Sequence, residues 1–520
     1  MKQRSKTAYL IVSSAHLGVS EDILATYAQV AKTYKAKVVH LGPLATDQEI
    51  RTHAKLKHKV SELKAMLANA STDRQEEAIS TKLLDSANEL AAVTNEQAGR
   101  MEALKGAFGK VTYVTTKDLM LPVKAGAAEV VYNGMELSKY IFLSPVPPAG
   151  PKSTRAPITA NSVAYLKELG CSWIVAHPVP KVDGRPKVGL NEAYNYYTVG
   201  GLKHAALPTH TRNQYEFAHM PCAILVLIDN ENGEFHARQM HIDYIDKAPG
   251  KKTGTMVIDD GLVFLPGKTL EVGSADKATF GTDYHACFQH AGVVGAHRTL
   301  NVLHEPETLI DGGDMGDFGS VSHWLESKPG ESEGLRLRDD LLGVRSLMDA
   351  LTNTKSIKKK ILIDSNHHEW LTDYISKNPA LKGILDWQTL ADDMFKDWDV
   401  MIRSAGENKV CKFGDLTIRH GDKDGGCQSA EGIYTKYLCG HFHKFATYRR
   451  SIQLGCGARL GPKYTGGQVN AWQSQLATIT KYKGVAAVSP KIILHDKVRD
   501  VSRFAYRDKI IEVDAYHIKT

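Results

Sequence analysis

The sequence predicts an α/β protein in two parts, residues 1–250 and 251–520. Three observations predict it. Short apolar runs alternate with segments of helical spacing along much of the chain. In the second half, most of the polar clusters that could carry chemistry directly follow such runs. Residues 244–255, which hold Pro249, Gly250, Lys251 and Lys252, read as the connection between the parts.

At 520 residues the chain is long enough for two or three cores. It has no run of about 18 apolar residues, so no membrane span is expected. The basic opening, Met1 to Lys6, leads into a short strand-like run and does not resemble a signal peptide. Seven cysteines without a CxxC pair fit reduced thiols and a cytoplasmic location. The net charge of +7 is compatible with a polyanionic partner without requiring one.

In chain order, residues 9–12 and 38–41 read as strands and 23–34 as a helix between them. A long polar segment, about residues 47–108, carries Leu56, Val60, Leu63 and Leu67 on one face. After a break near Ser71-Thr72-Asp73, Ile79, Leu83, Ala87 and Leu90 repeat the pattern. Two amphipathic helices in an antiparallel hairpin are expected. The hairpin either packs on its own domain or serves as an oligomerisation arm. Strands follow at 111–114, 140–143, 172–176 and 223–228, with a helix at 161–169. Residues 144–157 read as a proline-rich loop, and 178–213 as irregular and aromatic.

The second half holds five polar clusters in order. They are Asp283-Tyr284-His285, Gly313-Asp314, Asn366-His367, His420 and Gly440-His441-Phe442-His443. Four of them follow an apolar or β-prone run. Strand ends converge on one edge of an open α/β sheet, so distant clusters can meet there. Imidazole and carboxylate are good ligands for divalent metals, and Gly440 allows a sharp turn beside two histidines.

This order, DxH, GD, an Asn-His pair, H and GHxH, resembles the calcineurin-like metallophosphoesterase family over roughly residues 276–460. One departure stands out: Ser365-Asn366-His367-His368-Glu369 replaces GNHD/E. The resemblance implies a β-sandwich flanked by helices and a two-metal centre. Asp283, His285 and His443 would hold one ion. Asn366, His420 and His441 would hold the other, and Asp314 would bridge them. His367 would be the catalytic residue, acting on the leaving oxygen or holding the phosphate. Nitrogen and oxygen donors without thiolate favour Mn²⁺, then Fe or Zn²⁺, over Mg²⁺. Asp317 would orient a ligand or cap a strand end, and Cys287 and Cys439 are read as core.

The first half echoes the same order in worn form, around Ser14 and His16, Pro43, Thr116-Lys117, His177, and Gly200 to His204. Such a tandem copy would lack the bridging carboxylate and hold no metal pair. The alternative is an unrelated α/β domain.

For substrate, Lys412, Arg419, Lys423, Lys444, Arg449, Arg450, Arg459 and Lys463 accumulate near the motifs. Phe445, Tyr448, Tyr464 and Trp472 are interleaved with them. Lys444, Arg449 and Arg450 are the expected phosphate contacts. The layout around residues 281–324 is loosely similar to phage pre-early proteins that degrade host DNA. The expected function is therefore a metal-dependent DNA hydrolase. A small-molecule phosphodiesterase or phosphatase and a non-catalytic scaffold are the alternatives.

Overall fold

Strands made of unbroken apolar residues need cover on both faces, and this fold supplies it. Along Lys6–Ser13, Leu10 and Val12 join a cluster with Ile23, Tyr27 and Val30 of helix Glu21–Tyr34. Ile11, pointing the other way, joins a second cluster that extends through both halves. In Thr308–Asp311, Ile310 enters that second cluster while Leu309 packs with residues of helix Ala291–His304. The chain is thus mixed α/β, with helices on one face of a sheet and another sheet on the opposite face. The structure, a computed structural model, describes residues 1–13, 19–42, 47–114, 120–125, 128–133, 135–144, 170–186, 193–203, 220–245, 254–323, 334–384, 396–401, 410–460 and 470–518.

Two sheets share one strand order. The first runs Phe235–His241, Cys222–Asp229, Lys6–Ser13, Lys37–Leu41, Val111–Val114. The other runs Val485–Ile492, Gln475–Tyr482, Lys277–Gly281, Thr308–Asp311, Lys359–Ile363, and adds Asp399–Met401. In both, the first two pairings are antiparallel and the rest parallel.

A ten-stranded sheet spans both halves. At its centre Lys181–Pro186 pairs antiparallel with Ala446–Tyr448. Outward on one side lie Ala193–Val199, Ser172–Ala176, Ile141–Ser144 and Met135–Ser138. Outward on the other lie Ser451–Gln453, Tyr437–Cys439, Leu416–Ile418 and Cys411–Phe413. Directions match strand for strand in the two wings.

Residues 178–213, expected to be irregular, supply two of these strands, so that expectation is corrected. Ala193–Val199 is polar and aromatic yet largely buried, and two of its side chains find polar partners in the fold: Asn195 Oδ1 accepts from Gln473 Nε2 at 3.0 Å and Thr198 Oγ1 donates to Val179 O at 2.6 Å. Phe235–His241 was not anticipated either. Its Arg238 points inward to Asp259, a charge on an interior face that hides the strand pattern. The expected connection is flanked by Asp243–Ile245 and Gly254–Asp259, which pair with each other. Residues 161–169 lie outside the described residues.

The helical hairpin forms as Asp47–Ala68 and Asp73–Phe108. Thr72 caps the second helix by accepting from Gln75 N. Its foot packs on the domain through Leu104, while Met66 and Leu84 are exposed.

Three buried histidines make stability pH-dependent. Burial pushes His236 down to about 3, His297 to about 3 and His304 to about 4. These lie below the ordinary 6.5, so on acidification the unfolded chain takes up protons first. Their contribution is complete above pH 6.5 and is lost as pH falls toward 4 for His304 and toward 3 for His236 and His297, by up to about 1.4 kcal/mol per pH unit per histidine. Urea unfolding at pH 7 and pH 5 should give the lower stability at pH 5. His236→Leu should flatten that dependence because it removes one of the three titrating rings, and it breaks no hydrogen bond, since neither ring nitrogen of His236 has a partner among the described residues.

Candidate metal centre

The loops after the strands carry the polar clusters, and backbone hydrogen bonds lay those loops side by side. Asp283 N donates to Gly313 O at 3.0 Å and His285 N to Asp314 O at 2.9 Å. Gly440 N donates to His420 O at 2.9 Å. Helix Asn366–Lys377 starts directly at the Asn-His pair.

The seven expected ligands come together. One group comprises Asp283, His285 and His443, another Asp314, His420 and His441. His443 Nε2 lies 3.2 Å from Asp283 Oδ1 and 3.2 Å from His285 Nε2. His420 Nε2 lies 3.2 Å from Asp314 Oδ2, 2.9 Å from Asn366 Oδ1 and 3.3 Å from His441 Nδ1. Ligand atoms about 2.1 Å from one ion stand roughly 3 Å apart, so both groups fit a divalent cation. Asp314 Oδ2 is also 4.0 Å from His285 Nε2, which puts this carboxylate between the groups.

The backbone is bent to achieve this. Asp283, His285, Asp314, His441 and His443 all have positive φ, between 46° and 69°. Such backbone is costly outside glycine and concentrates at functional sites. Gly440 does not have positive φ. It is needed for space, since a Cβ there would lie 2.1 Å from Thr282 Oγ1 and 2.2 Å from Asp283 Oδ2. Gly313 is confined in both respects: φ is +103°, and a Cβ would meet His420 Nδ1 at 2.7 Å.

Charge follows the geometry. Burial alone would raise Asp283, but His443 beside it brings it down to about 2. Burial likewise opposes the ionised form of Asp314, yet His367 and His420 hold it well below its ordinary value. Burial works against protonated His420, and Asp314 overrides it, to about 9. Buried carboxylates kept ionised call for nearby positive charge. A proton on His420 supplies part of it in the metal-free chain, while burial pushes His367 down to about 4, and a bound cation would supply the rest.

Neighbouring groups orient the donors. Asp317 Oδ1 lies 2.9 Å from His285 Nδ1, a contact of the kind that would orient that imidazole toward a metal. His367 Nδ1 faces Asp317 O at 2.5 Å, which leaves its Nε2 turned toward Asp314 Oδ2 at 3.8 Å. His367 also forms a third donor group with His285 and Asp314. The Ser365 departure has a physical reason: its hydroxyl accepts from Asp314 N at 2.9 Å. His368 turns inward against Phe318, and Glu369 pairs outward with Lys423.

Several expectations need correction. Lys444, Arg449 and Arg450 are not open phosphate contacts. Lys444 Nζ is 2.6 Å from Asp183, Arg449 is 3.2 Å from Glu431, and Arg450 is 3.0 Å from Asp243 and bonded to Ile242 O. Each cation already has a carboxylate, and for Lys444 and Arg450 that carboxylate comes from the first half. Cys287 is half-buried rather than core, while Cys439 is fully buried. His16, Pro43, Thr116, Lys117, His204, Lys463 and Tyr464 lie outside the described residues. His177 Nδ1 accepts from Val179 N.

Trp370 and Asp311 were missed by sequence reasoning. The Trp370 ring lies 3.8 Å from that of His367, one helical turn from the Asn-His pair. Asp311 ends its strand and accepts from Gly313 N at 3.0 Å, and burial raises its carboxyl well above the ordinary value. The aspartate at the end of an apolar run was the available signal. Trp472, flagged in sequence, stands edge-on to His443 with centroids 4.2 Å apart.

No family model matches the chain, and no curated protein matches it.

Gly440→Ala should displace the Asp283 carboxylate and weaken Mn²⁺ binding by at least about ten-fold, an energy of about 1.4 kcal/mol. Calorimetric titration with Mn²⁺ checks this. Unchanged affinity would mean that the Asp283 loop yields freely.

Proposed function

We propose that this chain hydrolyses phosphodiester bonds of DNA with two divalent cations, as a calcineurin-like metallophosphoesterase. The observation that carries the reading is Asp314, whose carboxylate lies between two separate donor groups. Two ions so held supply a nucleophilic water at neutral pH and neutralise charge on the phosphoryl group. Asp283, His285 and His443 would hold one ion, and Asn366, His420 and His441 the other. Mn²⁺ is the preferred metal, with Fe or Zn²⁺ next, since the donors are nitrogen and oxygen. His367, oriented by the Asp317 carbonyl, would present Nε2 to the phosphate or leaving oxygen.

We further propose that the first half is a worn tandem copy. The matching strand orders and directions of the sheets support this. DNA as substrate is supported by the +7 net charge and by the looser resemblance to phage proteins that degrade host DNA in the bacterial cytoplasm. Lys444, Arg449 and Arg450 have no part in the proposed grip.

The decisive assay incubates the full chain with labelled linear and circular DNA and RNA, and with bis-p-nitrophenyl phosphate, in Mn²⁺, Mg²⁺ or EDTA. Mn²⁺-dependent loss of DNA, abolished by EDTA, is expected. Failure on every diester would overturn the reading, and turnover of monoesters alone would favour a small-molecule phosphatase.

Two substitutions separate the roles. Asp314→Ala should lose both ions and all activity while the far-ultraviolet spectrum is kept. His367→Ala should retain metal yet slow turnover by roughly 10²–10⁴. Metal analysis that found His367→Ala empty would make His367 a ligand instead.

A further inference from the structure

A cavity of about 550 Å³ lies at the seam between the halves, beside the metal centre. Trp472 belongs to both places, since it lines the cavity and stands against His443. Tyr194 of strand Ala193–Val199 also lines the cavity. Beside Trp472, Gln473 is 6% exposed, and its Oε1 has no hydrogen-bond partner among the described residues. Its Nε2 is already committed to Asn195 Oδ1 at 3.0 Å.

Arg459 and Lys497 line the same cavity, are exposed, and have no ion-pair partner among the described residues. This distinguishes them from Lys444, Arg449 and Arg450. Arg459 N donates to Phe288 O at 2.8 Å, which ties it to the loop carrying Asp283 and His285. Among the described residues that line the cavity Glu234 is the one carboxylate, and Arg503 neutralises it.

Resting on the diester-hydrolase reading, we propose that this cavity receives one unpaired nucleotide of the substrate strand. The aromatic rings offer a stacking face for a base. Arg459 and Lys497 offer two free cations for a phosphate. A cavity of this size has room for one nucleotide and none for a duplex, so the enzyme would act on single strands or frayed ends.

The test uses the full chain in EDTA, with calorimetry and tryptophan fluorescence as readouts. The probes are dTMP, thymidine, inorganic phosphate, a short oligo-dT and a blunt hairpin duplex. dTMP should bind at least about ten-fold more tightly than thymidine or phosphate alone. Oligo-dT should compete with dTMP, and the duplex should not. Arg459→Ala with Lys497→Ala should reduce dTMP binding to the level of thymidine, and Arg459→Lys should restore part of it. Both positions are exposed, and circular dichroism verifies folding. Absence of dTMP binding, or binding indifferent to the double substitution, overturns the proposal. Competition by free nucleotides but not by oligo-dT overturns it too, because the source would then be a free nucleotide. Hydrolysis of bis-p-nitrophenyl phosphate in Mn²⁺ without dTMP binding would overturn this proposal alone. dTMP binding without any diester hydrolysis would overturn the function proposed above and leave the cavity a nucleotide site.

Discussion

Asp314 is the buried carboxylate on which the two donor groups close. Its surroundings are shaped to keep it ionised and aimed. Ser365 Oγ accepts from its backbone N–H, and His420 and His367 turn ring nitrogens toward its Oδ2. Gly313, just before it, is confined by the His420 ring on one side and Ser365 on the other. An ionised carboxylate without water is expensive unless paired. Here the pairing comes from four loops, so the centre depends on strand ends meeting at one edge. The parallel order of Lys277–Gly281, Thr308–Asp311 and Lys359–Ile363 brings three of them together.

The donor residues were legible in the sequence because their chemistry limits the choice. Few side chains bind a cation, and four of the five clusters stand after an apolar or β-prone run that announces a strand. Asn366 and His420, 54 residues apart, meet at 2.9 Å for that reason. Strands buried on both faces, such as Cys222–Asp229, were legible as continuous apolar runs. What escaped were polar strands. Phe235–His241 carries His236 and Arg238 on buried positions, and only the fold supplies Asp259 as the partner for Arg238. No periodicity signals a charge whose counter-ion lies elsewhere in the chain.

The same limit explains the arginines. Arg449 and Arg450 are close in sequence to His443, and basic residues near a metal site suggest phosphate binding. Sequence proximity does not indicate where a long side chain ends. Arg450 reaches Asp243 and the Ile242 carbonyl of the first half, and Lys444 reaches Asp183. These cations join the halves where Lys181–Pro186 pairs with Ala446–Tyr448. A surface ion pair contributes little. Arg450 is only 13% exposed in its side chain and has several partners, so it is spent on the joint.

The joint bears on what the first half does. Its sheet order matches that of the second half, yet its strands run straight into the ten-stranded sheet that also carries the loops of His420, His441 and His443. Strand Ala193–Val199 therefore stands at a fixed distance from Trp472 and Gln473, and Asn195 bonds Gln473 directly. The first half needs no metal of its own to matter at the centre. Through Tyr194 and Asn195 it forms a wall beside Trp472 and Gln473, next to the loop that carries His443, and the continuous sheet holds that wall in register with the second half.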